Sequence, residues 1–153
     1  MKRLFIISLL FLSVGFGQNT TDEPNPMKGV KTQIKSIYEF EEKFGELKEI
    51  QEWKIISKYD SDGNKVEWLE YNSDGSLESK TIYKYDSNGN NVEWSMYDSE
   101  GNLTDNVFGV SKTIYKYDSK NRIIESISYD FESKFGELQE IPEGKTIYQY
   151  EEY

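Results

Sequence analysis

Apolar and polar residues alternate along most of this chain with a period of two, and short runs of Asp, Ser, Asn and Gly interrupt the alternation. The clearest stretch is Lys80 to Tyr97, KTIYKYDSNGNNVEWSMY, in which two alternating segments flank Asn88-Gly89. A period of two is that of β-strands with chemically distinct faces. The unit recurs as KIISKYDSDGNKVEWLEY from Lys54 and KTIYKYDSKNRIIESISY from Lys112, and a partial copy, KTIYQYEEY, begins at Lys145. Such repetition identifies a scaffold more than a chemistry, because a structural motif recurs wherever the scaffold does.

Asn-Gly between alternating segments predicts a two-residue type I′ turn, whose central positions both need positive φ. Ser87 then faces Asn90, Tyr85 faces Val92, Lys84 faces Glu93, Tyr83 faces Trp94 and Ile82 faces Ser95. Turns at Asp62-Gly63 and Lys120-Asn121 place Lys58 opposite Glu67 and Lys116 opposite Glu125. The Lys–Glu pair thus recurs three times, and a three-residue loop would by itself shift every partner.

A second unit, YEFEEKFGELKEI from Tyr38, returns as YDFESKFGELQEI from Tyr129. Helix competes here, since Glu, Lys and Leu favour it and Phe40, Phe44 and Leu47 have helical spacing. The central glycine, the strands on both sides and Pro142 favour a long hairpin turning around Lys43-Phe44-Gly45. Further turns at 73–76 and 99–102 leave no room for crossover helices. The predicted fold is an all-β antiparallel meander of about eight strands built from β-hairpins, near 31–41, 46–60, 65–72, 77–86, 91–98, 103–118, 122–132 and 137–151. The insertion TDNVFGVS at 104–111 is expected to be a bulge or protruding loop and a point of specialisation.

Residues 1–17 read as a secretory signal peptide: Lys2 and Arg3, an apolar run from Leu4 to Val14, and a small-x-small site at Gly15–Gly17. That run is short for a transmembrane helix, so an uncleaved anchor is the lesser alternative. Residues 18–29, with Pro24 and Pro26, are expected to be a flexible leader, and 30–153 the hairpin domain. The address implied is secreted, periplasmic or cell envelope, without stable membrane insertion after cleavage.

The formal charge of the 153-residue chain is −10 and becomes more negative without Lys2 and Arg3, which disfavours nucleic acid and anionic membrane as partners. The chain has no cysteine, so no disulfide framework is available, and no histidine. His-based triads, thiol nucleophiles and the usual zinc sites are therefore excluded. No phosphate loop or dinucleotide fingerprint is present, and no cofactor is expected. A non-enzyme is the reading, with a carboxylate-only glycosidase as the alternative from another class and a purely structural or immunity-type module as a third.

Two constellations suggest binding. Trp68 and Trp94 hold equivalent V-E-W positions, and with Tyr83 and Tyr85 they are candidates for an aromatic face that stacks against a glycan or protein partner; large aromatics also dominate β cores, and core is the preferred reading. Asp60, Asp62, Asp86 and Asn88 crowd oxygen ligands into short loops, as calcium requires, but the same residues are what tight turns select, and turn chemistry is the preferred reading.

Tyr-x-Tyr-Asp-x-x-Gly-Asn at Tyr83 to Asn90, with relatives at Ser57 and Tyr115, resembles the YD repeats of the RHS family over about Lys54 to Tyr129; MORN-like repeats are a looser match. The resemblance implies β-hairpin strips that coil into shells or act in surface contact and carbohydrate binding. Together these readings point to an exported repeat scaffold acting as a surface-binding or adhesion module, whose partner would be a glycan or a cell-surface protein.

Overall fold

The computed structural model describes residues 25–105, 109–134 and 137–151. The signal peptide and most of the leader lie outside them. The sequence folds into one antiparallel sheet of eight strands, each hydrogen-bonded to the next in chain order: β1 (Thr32–Lys43), β2 (Glu46–Tyr59), β3 (Lys65–Tyr71), β4 (Leu77–Tyr85), β5 (Asn91–Asp98), β6 (Lys112–Tyr117), β7 (Ile123–Lys134) and β8 (Glu137–Ile147). The meander is open, with β1 and β8 as its edges, and no helix occurs among the described residues. The EFEEKFGELKEI segment is hairpin, turning at Phe44-Gly45, where both residues have positive φ.

The repeat turns differ from the two-residue turns that the Asn-Gly signal predicts. Gly89 N–H donates to the Asp86 carbonyl at 3.1 Å and Asp86 N–H to the Asn90 carbonyl at 3.0 Å. Gly89 has φ +81°, whereas Asn88 is not among the positive-φ residues. This is a three-residue loop, a type I turn followed by a left-handed residue. It moves the register by one, so that Tyr85 pairs with Asn91 instead of Val92. A bulge that leaves Val92 unpaired then moves it back, and Lys84–Glu93, Tyr83–Trp94 and Ile82–Ser95 pair as expected. Val66 and Ile124 are skipped in the same way in the neighbouring copies. The Lys–Glu pairs therefore survive a loop length that alone would have destroyed them.

The Tyr-Asp dipeptide builds this device. The Asp86 carboxylate accepts from the backbone N–H groups of Asn88 and Asn90, both at 2.9 Å, and from the Asn90 side chain at 3.0 Å. Asp60, Asp98 and Asp118 close their own turns in the same manner. In two of these dipeptides the tyrosine reaches across to the adjacent strand, Tyr85 donating to the Lys65 carbonyl at 2.8 Å and Tyr117 to that of Asn91 at 2.7 Å, and Tyr150, which precedes Glu151, donates to that of Ile123 at 2.8 Å. Each acceptor stands immediately before a skipped residue, where the bulge disrupts the ladder and a carbonyl needs another donor.

The sheet is a single layer, so burial comes from large side chains lying on small ones. Among the described residues only Leu69 is a buried hydrophobic, at 9% exposure, whereas Ser57, Ser79, Ser95, Ser111 and Thr113 are all buried. Ser57 and Thr81 flank Trp68 across the strands, and Tyr83 and Thr113 flank Trp94. One face carries the indoles and most of the tyrosines.

The other face carries Lys58–Glu67, Lys84–Glu93 (2.6 Å) and Glu125 held between Lys116 (2.7 Å) and Lys145 (2.6 Å). It also carries Lys54, Lys80 and Lys112 over the rings of their cross-strand partners Tyr71, Tyr97 and Tyr129. These pairs join the first lysine of each repeat to its last tyrosine, a contact that register alone creates.

Beyond Lys54 and Tyr129 the outer hairpins have no third strand beside them among the described residues, so 38–51, and 129–134 with 137–142, project as two-stranded arms. The stretch expected as one strand over 103–118 is divided. Leu103 makes an isolated bridge to Tyr97, Met96 is bonded to both Thr104 and Ser111, and regular pairing resumes at Lys112. Ser111 anchors the return by donating its N–H to the Tyr129 carbonyl and its hydroxyl to Asp130. At the other end, residues 25–29 form a turn over the first repeat loop, with the Asn25 amide donating to the Gly63 carbonyl at 3.0 Å.

Candidate binding face

Trp68 on β3 and Trp94 on β5 lie on the same face, separated by β4, and each is half-buried with no second layer over it. Their equivalent repeat positions give them different surroundings. The Trp94 indole donates to the Tyr115 hydroxyl at 3.2 Å. The Trp68 N–H is buried without an acceptor among the described residues, and Lys65 lies 5.0 Å over its ring. Burial lowers the affinity of Lys65 for its proton, as desolvation of an ammonium requires.

Tyr83 and Tyr85 share this face. Burial pushes the Tyr83 phenol well above its ordinary value, with smaller repulsions from Tyr85, Glu70 and Tyr115. Tyr85 is also raised by burial, and its hydroxyl is already committed to the Lys65 carbonyl. Of the four aromatic candidates, Tyr85 is thus part of the scaffold's bonding and Trp68 alone borders a depression in the face.

That depression is a trough of about 450 Å³. Ile37 on β1, Trp53 and Ile55 on β2 and Trp68 on β3 line one side, and Met96 on β5 with Thr104 lines the other. Ser79, a small buried residue of β4, lies between them, which is why the surface dips there. Trp53 is 40% exposed, the most open indole of the three. Glu70, Glu78, Asp98 and Asp105 also line the trough. The Ser79 hydroxyl donates to Glu70 at 2.7 Å.

Asp98 is held below the usual carboxylate range chiefly by the Asn102 backbone N–H, with burial opposing and the Asn102 side chain assisting. The insertion supplies part of the trough's far side through Thr104 and Asp105. Its residues 106–108 lie outside the described structure.

Sequence reasoning groups the tryptophans but not Glu70, Glu78, Met96 or Asp105 with them. Glu70 shares the face of Trp68 by alternation along β3, whereas Glu78, Met96 and Asp105 meet it only through the cross-strand register and the departure of the chain after Leu103. The loop candidates are dispersed. Asp60 and Asp86 direct their carboxylates into their own turns, while Asp62 and Asn88 sit exposed at the turn tips, one loop apart from the other. No group of three or more acidic residues arranged to hold a metal ion occurs among the described residues. In comparison with known proteins, the chain matches no protein-family model and no curated protein.

Proposed function

We propose that this protein is an exported, non-catalytic binding module that uses the aromatic face of its sheet to engage a glycan or a protein partner at the cell envelope. The observation that carries this reading is the contrast between the two faces. One has its lysines committed to glutamates and tyrosine rings. The other presents indoles and a trough beneath no second layer. A scaffold needing aromatics only for stability would cover them; an uncovered aromatic trough is the surface that recognition uses. Export follows from the reading of residues 1–17, and kinship with YD-repeat proteins, in which hairpin strips serve in surface contact, belongs to the same proposal.

The test is binding of the purified protein to a glycan array and to cell-surface protein extracts, repeated with Trp68→Ala. Loss of a specific signal in a variant whose urea midpoint shows it folded supports the reading. Equal binding by wild type and variant, or none by either, overturns it.

A further inference from the structure

The trough is one-sided in charge. Glu70, Glu78, Asp98 and Asp105 line it, and among the described residues no lysine or arginine does so, Lys65 meeting it only over the ring of Trp68. In the repeats, Glu67, Glu93 and Glu125 are matched by lysines across the strands. Here the partners are neutral. Glu70 accepts from the Ser79 hydroxyl at 2.7 Å, Glu78 from the Asn72 amide at 2.8 Å, and Asp98 from backbone N–H groups and the Asn102 amide of its own turn. These bonds satisfy oxygen atoms without neutralising charge, so four acidic side chains share the lining with indole and aliphatic walls. An arriving cation gains their attraction and the exposed ring of Trp53 as well. A neutral sugar would use the rings and leave the charge unmatched.

We infer that the trough binds an extended, arginine-bearing segment of a partner protein. The inference rests on the binding-module reading and names the chemical class of its ligand. The guanidinium suits the site better than an ammonium, because its plane stacks on an indole while its edge donates two bonds to one carboxylate. Apolar residues between the arginines would lie against Ile55 and Met96. The insertion contributes Asp105 and Thr104 to one wall, so specificity for the cation belongs to this repeat and not to the common scaffold.

The experiment is a fluorescence-anisotropy titration of the purified protein with a labelled peptide of alternating arginine and leucine, and with the same peptide carrying glutamate for arginine. The arginine peptide is expected to bind and the glutamate peptide to fail, with affinity falling as salt rises. Glu70→Gln with Asp105→Asn should weaken binding about tenfold. Both substitutions are isosteric, Asp105 is exposed, and a urea midpoint identifies the folded variant; Glu78→Gln, at the exposed rim, is the second variant should Glu70→Gln unfold.

Equal binding of both peptides, or binding unchanged in every variant, overturns the inference. If the arginine peptide fails while a glycan binds in a Trp68-dependent manner, the ligand class is wrong and the binding-module reading stands. If nothing binds, both fall.

Discussion

The aspartates of the Tyr-Asp dipeptides are the residues on which the turns depend, and their titration exposes that dependence. Desolvation pushes the Asp60 and Asp86 carboxyls up, but the bonds from Asn64 and Asp62, or from Asn90 and Asn88, more than offset it and leave both below their ordinary value of 3.8. For Asp98 and Asp118 the backbone N–H groups of Asn102 and Arg122 lead, with the same result. A carboxyl depressed in the folded state adds stability above its unfolded pKa, and that stability is lost as pH falls through the folded value. Urea midpoints should therefore hold steady above about pH 5 and fall below about pH 4, with a shallower fall in Asp86→Asn. The tryptophans offer a second measurement. Half-buried on a single layer, Trp94→Ala should cost about 1–3 kcal/mol in urea unfolding, less than a fully enclosed indole would.

The hairpin is the element that repeats, and its bulge reconciles a three-residue loop with the Lys–Glu register. Gly89 and Gly63 occupy the same left-handed position, at φ +81° and +88°, but only Gly63 lies beneath the turn of residues 25–29. A Cβ at Gly89 would meet nothing within 4 Å, whereas one at Gly63 would stand 2.6 Å from the Lys28 backbone nitrogen. Gly89→Ala should thus cost about 1–2 kcal/mol of conformational strain, and Gly63→Ala distinctly more, as compared by denaturant midpoints. The same loops should not need metal, since their carboxylates are bonded to their own backbone. Chelation is expected to leave the thermal midpoint unchanged, and a large drop would assign the loops to a cation.

At the scale of the whole molecule, one layer stands with Leu69 as the single buried hydrophobic among the described residues, and stability is spread over neighbouring hairpins. Phe44 at an arm's tip is 96% exposed, so Phe44→Asp should move the urea midpoint by no more than about 0.5 kcal/mol. The meander, the hairpin nature of the arms and the shared face of Trp68 and Trp94 were legible in the sequence, because alternation, turn residues and repeat spacing are local and each copy checked the others. The loop length was not legible, since an Asn-Gly pair suits both a two-residue turn and the end of a three-residue one. The choice between them is made by where the next strand must pair, which is why Val92 is skipped. The trough escaped for a related reason. Alternation determines which face a side chain takes, so the sequence by itself determined strands, faces and most partners. Only the tertiary structure decided that Ser79, Met96 and Asp105 meet Trp53 and Trp68, because that meeting depends on register summed across five strands and on a chain that leaves the ladder after Leu103.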